Sequence, residues 1–286
     1  MQYKIITDTC CDFPAKMYQE LDLAVVPLSV NFKGQTVESY EESWLKELFD
    51  GLRAGEKTST AAVNPEKWAS VIEPVLAEGK DALVLAFSSG LSNTYQSAVI
   101  AANELQEKYP RQKVLVVDTL AASLGQGLFV YYACQKRDEG MTLEQLHAWC
   151  EEYKFKLAHW FTVDDLMYLK RGGRVSAATA LVGTMLQIKP VLHVDDEGHL
   201  INVSKVRGRK ASIEALAKKL GEDGIPGAND TVFICHGDCL EDAQHLEKLV
   251  KEKYGVKHVF IYYVGAVIGS HSGPGTLALF YLGNHR

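Results

Sequence analysis

The stretch Ala82-Leu83-Val84-Leu85-Ala86-Phe87-Ser88-Ser89-Gly90-Leu91-Ser92-Asn93-Thr94 decides the fold. Its first six residues are apolar without alternation, which fits a strand covered on both faces, as a parallel sheet requires. From Thr94 to Tyr109, residues Tyr95, Ala98, Val99, Ala102, Leu105 and Tyr109 fall on one stripe at helical spacing. A buried strand that runs through a short loop into a helix is the repeating piece of an α/β fold.

The same piece recurs on both sides. Tyr3 to Thr7 reads as a strand, followed by a helix that Asp12 opens as N-cap with Pro14 in its first turn. Ala24 to Phe32 is a second extended run, and Pro27 within it suits a sheet edge or a strand end. Glu41 to Gly51 and Pro65 to Ala77 predict helices, and Val114 to Val117 predicts a buried strand ending at Asp118. The repetition implies a doubly wound domain with a parallel sheet over residues 1–155. A second α/β domain, residues 156–286, follows. It contains a turn at Gly172 and Gly173, a helix from Ala177 to Gln187, a hairpin from Val191 to Val206 turning at Gly198, and βα units beginning near Thr231 and Val256. With no linker or repeat between them, the two domains are expected to pack closely.

Composition narrows the function. The chain has 286 residues, 47% of them hydrophobic, enough to bury a full core. A formal net charge of -6 gives no basic field over the molecule, so nucleic acid is not an expected partner. The opening MQYKIITDTCCDF lacks the charged and apolar regions of a secretory signal, and no apolar run reaches the ~18 residues of a membrane span. A cytoplasmic protein without stable membrane insertion is expected, with its six cysteines reduced.

The loop Ser88 to Asn93 joins a buried strand to a helix N-terminus, where parallel sheets collect ligands and unpaired N–H groups favour anions. Hydroxyls with no Lys or Arg among them suit a small anion such as one carboxylate. The alternative is that Ser92 or Asn93 only caps the helix. A second hydroxyl cluster, Lys57-Thr58-Ser59-Thr60, is expected in a loop between two helices. Residues 51–58, GLRAGEKT, do not make a phosphate-binding P-loop, because the lysine spacing is wrong and no buried strand precedes them. Gly125 and Gly127 lack the third glycine of a dinucleotide fingerprint and suit close packing instead. His271, within Gly269 to Gly275, is expected on a constrained loop, as a hydrogen-bonding group, a proton donor or an anion partner. The basic stretches Lys170 to Arg174 and Lys205 to Lys210 are either solvated faces or docking points for an acidic or phosphorylated partner. Cys235-His236-Gly237-Asp238-Cys239 lacks the second ligand pair that a closed zinc site needs, so no metal is expected.

Taken in order, several strings resemble the DegV family, the fatty-acid-binding proteins that serve as the binding subunit of bacterial fatty acid kinase. They are Ile5-Ile6-Thr7-Asp8-Thr9, Thr58-Ser59, SSGLSNTYQSA at 88–98, Val117-Asp118-Thr119, Leu169 to Arg174, Lys189-Pro190-Val191 and His271-Ser272-Gly273-Pro274-Gly275. The resemblance implies a two-domain α/β fold with an acyl tunnel, and a carboxylate held by Thr58 and Ser89, with Ser59, Ser88, Ser92 and His271 able to share that role. It places Arg174, Arg207 and His271 around the head group and toward the kinase. The implied ligand is a long-chain fatty acid such as palmitate, stearate or oleate. The implied partner is the ATP-binding subunit of the fatty acid kinase, which would form acyl phosphate for phospholipid synthesis, so the chain itself is a carrier without a cofactor. Two departures stand out: the hydroxyl cluster runs on through Thr60-Ala61-Ala62-Val63-Asn64 before Pro65, and Asn93 stands where the family has glycine. Two other functions fit the same residues. One is a serine esterase or thioesterase using Ser89 or Ser92 with His271, and the other is a lipid-sensing regulatory protein.

Overall fold

The computed structural model describes residues 3–38, 41–176 and 187–286. The strands are β1 (Tyr3–Asp8), β2 (Leu23–Val26), β3 (Ser29–Phe32), β4 (Gln35–Val37), β5 (Thr58–Ala61), β6 (Asp81–Ala86), β7 (Val114–Asp118), β8 (Leu157–Thr162), β9 (Ile188–Val194), β10 (Leu200–Arg207), β11 (Thr231–His236), β12 (His258–Tyr263) and β13 (Leu277–Leu282). The helices are α1 (Ala15–Glu20), α2 (Glu42–Arg53), α3 (Pro65–Ala77), α4 (Thr94–Lys108), α5 (Ser123–Asp138), α6 (Leu143–Tyr153), α7 (Met167–Arg171), α8 (Arg209–Asp223), α9 (Leu240–Tyr254) and α10 (Ala266–Ser272).

The first sheet has the order β2-β1-β6-β7, with every pair parallel, as the apolar runs required. The second is mixed, in the order β10-β9-β8-β13-β11-β12. Its strands alternate cleanly: on β13, Leu277, Leu279 and Tyr281 join the core under α8 and α9, while Ala278 and Phe280 face the other way into the core shared with the first sheet. One apolar core therefore binds both sheets together. Among the described residues no helix is long and apolar enough to cross a membrane.

Several local expectations change. Asp12 does not open a helix; Asp8 caps a 3-10 turn at Thr9–Cys11, accepting from the Cys10 amide, and Asp12 ends that turn in a left-handed conformation. The short turn is closed first because Asp8, at the end of β1, sits two residues before the free amide it needs. The run Ala24 to Phe32 splits at Pro27-Leu28 into β2, an edge of the first sheet, and β3 of a small antiparallel sheet ordered β4-β3-β5. The Thr58 cluster is strand β5, not loop, because Thr58 to Ala61 pair with Phe32 to Ser29. The helix expected from Ala177 falls on residues 177–186, outside the described residues.

Helix α5 fastens the layers. Its N-terminal half is buried on every side, and it packs on β8, β11 and β13. A Cβ at Gly125 would overlap the His159 ring and lie 2.7 Å from Phe280 Cδ1, so only glycine lets the helix approach that closely. Gly125→Ala is expected to destabilise the fold by about 1–3 kcal/mol through overpacking, read as a lower urea midpoint at unchanged slope. An unshifted midpoint would show that α5 is not seated on this sheet.

Candidate functional site

A cavity of about 430 Å³ lies between the inner face of the second sheet, α10, and the loop that follows β6. Phe87, Phe161, Val194, Val264 and Phe280 give it apolar walls. Its polar lining comprises Thr60, Ser89, Ser92, Asn93, Ser123, His159, Arg174, His271, Ser272 and Thr276, among which Thr60, His271 and Arg174 are neighbours. Arg174 and Leu200 also line an open groove with Gly173 and Ile201, so Arg174 stands between the cavity and the surface.

The loop after β6 is fixed from three sides. The buried Asp8 carboxylate, from the end of β1, accepts from the Phe87 amide at 2.8 Å and the Cys10 amide at 2.9 Å. Burial is the larger influence on it and raises its pKa to about 6, against the two amide hydrogen bonds that lower it. Asp118, from the end of β7, accepts from the Ser89 and Leu120 amides, each at 3.1 Å. From the second sheet, Gly198 O accepts from Ser88 Oγ at 3.0 Å. Ser88 is therefore buried and outside the cavity lining, whereas Ser89 lines it and its hydroxyl makes no hydrogen bond among the described residues. Ser92 does two things: its Oγ accepts from the Thr94 amide at 3.2 Å at the head of α4, and it lines the cavity. The N-cap itself, Asn93, makes no side-chain cap; Ser92 takes the first helical amide from one residue further out, and because it also lines the cavity, capping is not all it does.

Strand alternation sorts the second cluster. Ser59 points outward, accepting from Asn31 Nδ2 at 3.1 Å. Thr58 shares the inner side with Thr60 but reaches only Ser270 O, at 3.5 Å, and neither Thr58 nor Ser59 lines the cavity. Thr60 does, with its Oγ1 2.7 Å from His271 Nε2. The sequence shows Thr60 in the hydroxyl cluster but not the pairing of that cluster with the extended run ending at Phe32, from which period-two alternation groups Thr60 with Thr58.

His271 sits in the last turn of α10, not in a loop, since residues Ala266 to Ser272 close into a short helix after Gly265. Its ring packs so near Gly172 that a Cβ there would overlap Nδ1, which gives the Gly172-Gly173 turn a steric reason. Desolvation first, and Arg174 second, push its pKa down to about 4. The imidazole is therefore neutral near pH 7, and its hydrogen bond goes to Thr60, not to Ser89 or Ser92, so no bonded serine–histidine pair of the hydrolase type is formed among the described residues. Arg174 supplies the cation that the loop lacks: Nη2 donates to Leu91 O at 3.1 Å and Nη1 to Gly172 O. Arg207, at the end of β10, is exposed and does not line the cavity. No group of three or more metal-ligating side chains occurs among the described residues. Three hydroxyls, a neutral imidazole and one guanidinium beside an apolar space can hold an anion with a long apolar tail.

The chain is similar to known proteins along almost its whole length. The model of the DegV family, described as "Uncharacterised protein, DegV family", matches residues 2–284. A DegV domain-containing protein of Clostridium perfringens is 44% identical over 287 aligned residues, covering 100% of this chain and 99% of the relative. A solved DegV family protein from Thermus thermophilus, described by its fatty acid binding, is 33% identical with a TM-score of 0.88, covering 99% of this chain and 100% of its own. A DegV lipid binding protein from Thermotoga maritima is 32% identical with a TM-score of 0.87, each chain covered in full.

The His271 ring gives a direct check. Its folded pKa, about 4, lies below the ordinary 6.5, so between those values the unfolded chain holds a proton that the folded chain does not. His271 therefore lowers stability as pH falls through that window, and its effect is absent above 6.5. In ring-nitrogen NMR of the protein alone, His271 should remain neutral at about pH 5.5. A midpoint near 6.5 would mean the ring is solvated and not packed on Gly172.

Proposed function

The chain belongs to the DegV family, and on that premise we propose that it binds one long-chain fatty acid, with the acyl tail in the cavity and the carboxylate among Thr60, Ser89, Ser92, Arg174 and His271. The observation that carries this reading is a cavity with apolar walls whose lining includes one cation, Arg174, beside the neutral His271 ring, and the hydroxyls of Thr60, Ser89 and Ser92. A space of about 430 Å³ with these apolar walls suits an alkyl tail. Residues 1–155 would supply the hydroxyl-bearing elements, and residues 156–286 the sheet face that completes the tunnel.

Energetics divide by end. At about 0.8 kcal/mol per methylene, a tail of about 14 methylenes has a gross transfer term near 11 kcal/mol. Association removes several kcal/mol of that in lost freedom. Hydrogen bonds to the carboxylate add about 1.5–3 kcal/mol each and fix which end enters. The tail holds; the head orients.

The finer reading is that the loaded protein presents its carboxylate to a separate fatty acid kinase, which forms acyl phosphate for phospholipid synthesis. Phosphoryl transfer needs a nucleotide cradle and Mg²⁺ ligands, and this reading assigns both to the partner chain. Arg174 supports it by standing where the cavity meets the open groove, the side from which a donor would approach.

Lipid extracted from the purified protein should contain a long-chain fatty acid in near-equal amount, by mass spectrometry. Ser89→Ala and Thr60→Val should each weaken palmitate binding by about 10- to 100-fold. A protein that carries no lipid and takes none up overturns the reading. For the finer step, loaded protein with the kinase and ATP should yield acyl phosphate, and none forming would remove the kinase partnership while leaving fatty-acid binding intact.

A further inference from the structure

We propose that the tip of the β9–β10 hairpin is a positioning device for the head group, acting through Ser88, and that it sets the preference for a carboxylate over a neutral head. This rests on the fatty-acid reading above and adds residues that never touch the ligand. Ser88 is fully buried, with Oγ donating to Gly198 O at 3.0 Å and accepting from the Gly90 amide at 3.2 Å. One hydroxyl thus locks the turn of the β6–α4 loop and ties it to the opposite sheet.

The two backbones meet with no room to spare. A Cβ at Gly90 would lie 2.7 Å from Glu197 O and 2.8 Å from Gly198 O, and a Cβ at Gly198 would overlap Ser88 Oγ. Gly198 also has φ +79°, a left-handed conformation that favours glycine. The hairpin tip is rigid in its own right: the Glu197 and His199 amides donate to Asp195 Oδ1 at 3.0 and 2.8 Å, and the Gly198 amide donates to Asp195 O at 2.9 Å. Ser89 follows Ser88 directly and has its amide held by Asp118. The backbone from which the Ser89 side chain projects is therefore held by Asp118 on one side and the Ser88–Gly198 clasp on the other.

Loosening the clasp should misplace Ser89 and leave the apolar walls as they are. The test compares affinities for palmitate and for hexadecan-1-ol, which share a tail and differ in the head. Ser88→Ala should weaken palmitate binding about tenfold, with hexadecanol affinity held within about twofold. Gly198→Ala, which disturbs the same contact from the hairpin and alters no loop residue, should give the same loss and serves where Ser88→Ala does not fold. A purely structural role would lower both affinities together and overturns the inference. So does a wild-type ratio in both variants while Ser89→Ala loses it, an outcome that leaves the fatty-acid reading standing. Wild-type protein that binds neither probe removes the reading and the inference with it.

Discussion

The β6–α4 loop keeps its shape because two strand-end carboxylates take up its amides. Asp8 and Asp118 flank the loop from β1 and β7, the neighbours of β6 in the parallel sheet, and together they accept from its Phe87 and Ser89 amides, Asp118 also taking the Leu120 amide just past β7. Loop amides left unpaired at this depth would each cost about 1–3 kcal/mol. Asp8 is completely buried and its pKa rises to about 6, so desolvation outweighs its hydrogen bonds. A fold that retains so costly a carboxyl gains a loop of one conformation. The Ile6-Thr7-Asp8 and Val117-Asp118-Thr119 strings thus have a shared physical reason, since each ends a buried strand with the acceptor that the central loop needs.

The cavity follows from what the second sheet places opposite that loop. Its inner face carries Phe161 and Phe280, but also Ala278 and Cys235, and α5 begins there with Ala122 and Ser123. Small residues among large ones leave a void there. Leu120 and Ser123 both take left-handed backbone conformations, with φ of 52° and 56°, in the turn that brings α5 to this surface. Such conformations in residues other than glycine persist only where the surroundings impose them, and here the imposing contacts are the Asp118 acceptor, the Ser123 Oγ–Asp12 hydrogen bond and the glycine face of α5.

Legibility in the sequence followed burial pattern. β6, α3 and α4 stand where apolar runs and stripes placed them, because each presents one clear period to one environment. Helix α5 gave no such signal: surrounded by protein along its first half, it has no polar stripe to mark a face. Thr58, Ser59 and Thr60 were legible as a hydroxyl cluster but not as a strand, since what separates them is pairing with β3, about thirty residues away in sequence. His271 was found and its helix was not, because a stretch of Gly and Ser carries turn propensity that packing against β5 and α7 overrides. Ser88 was expected at the ligand, and only the contact with Gly198, far along the chain, assigns it elsewhere.

Charge at the site is arranged by the backbone. Arg174 spends two of its guanidinium donors on the carbonyls of Gly172 and Leu91, which aim the group while leaving other N–H donors unassigned to them. Burial lowers its pKa, yet a guanidinium remains protonated near neutrality, and its field helps keep His271 neutral. One fixed cation with a neutral imidazole suits a single negative charge better than a dianion. In the proposed complex the hydroxyls of Thr60, Ser89 and Ser92 would set geometry and not charge, which would make the mechanical support of Ser89, through Asp118 and the hairpin, matter as much as its chemistry.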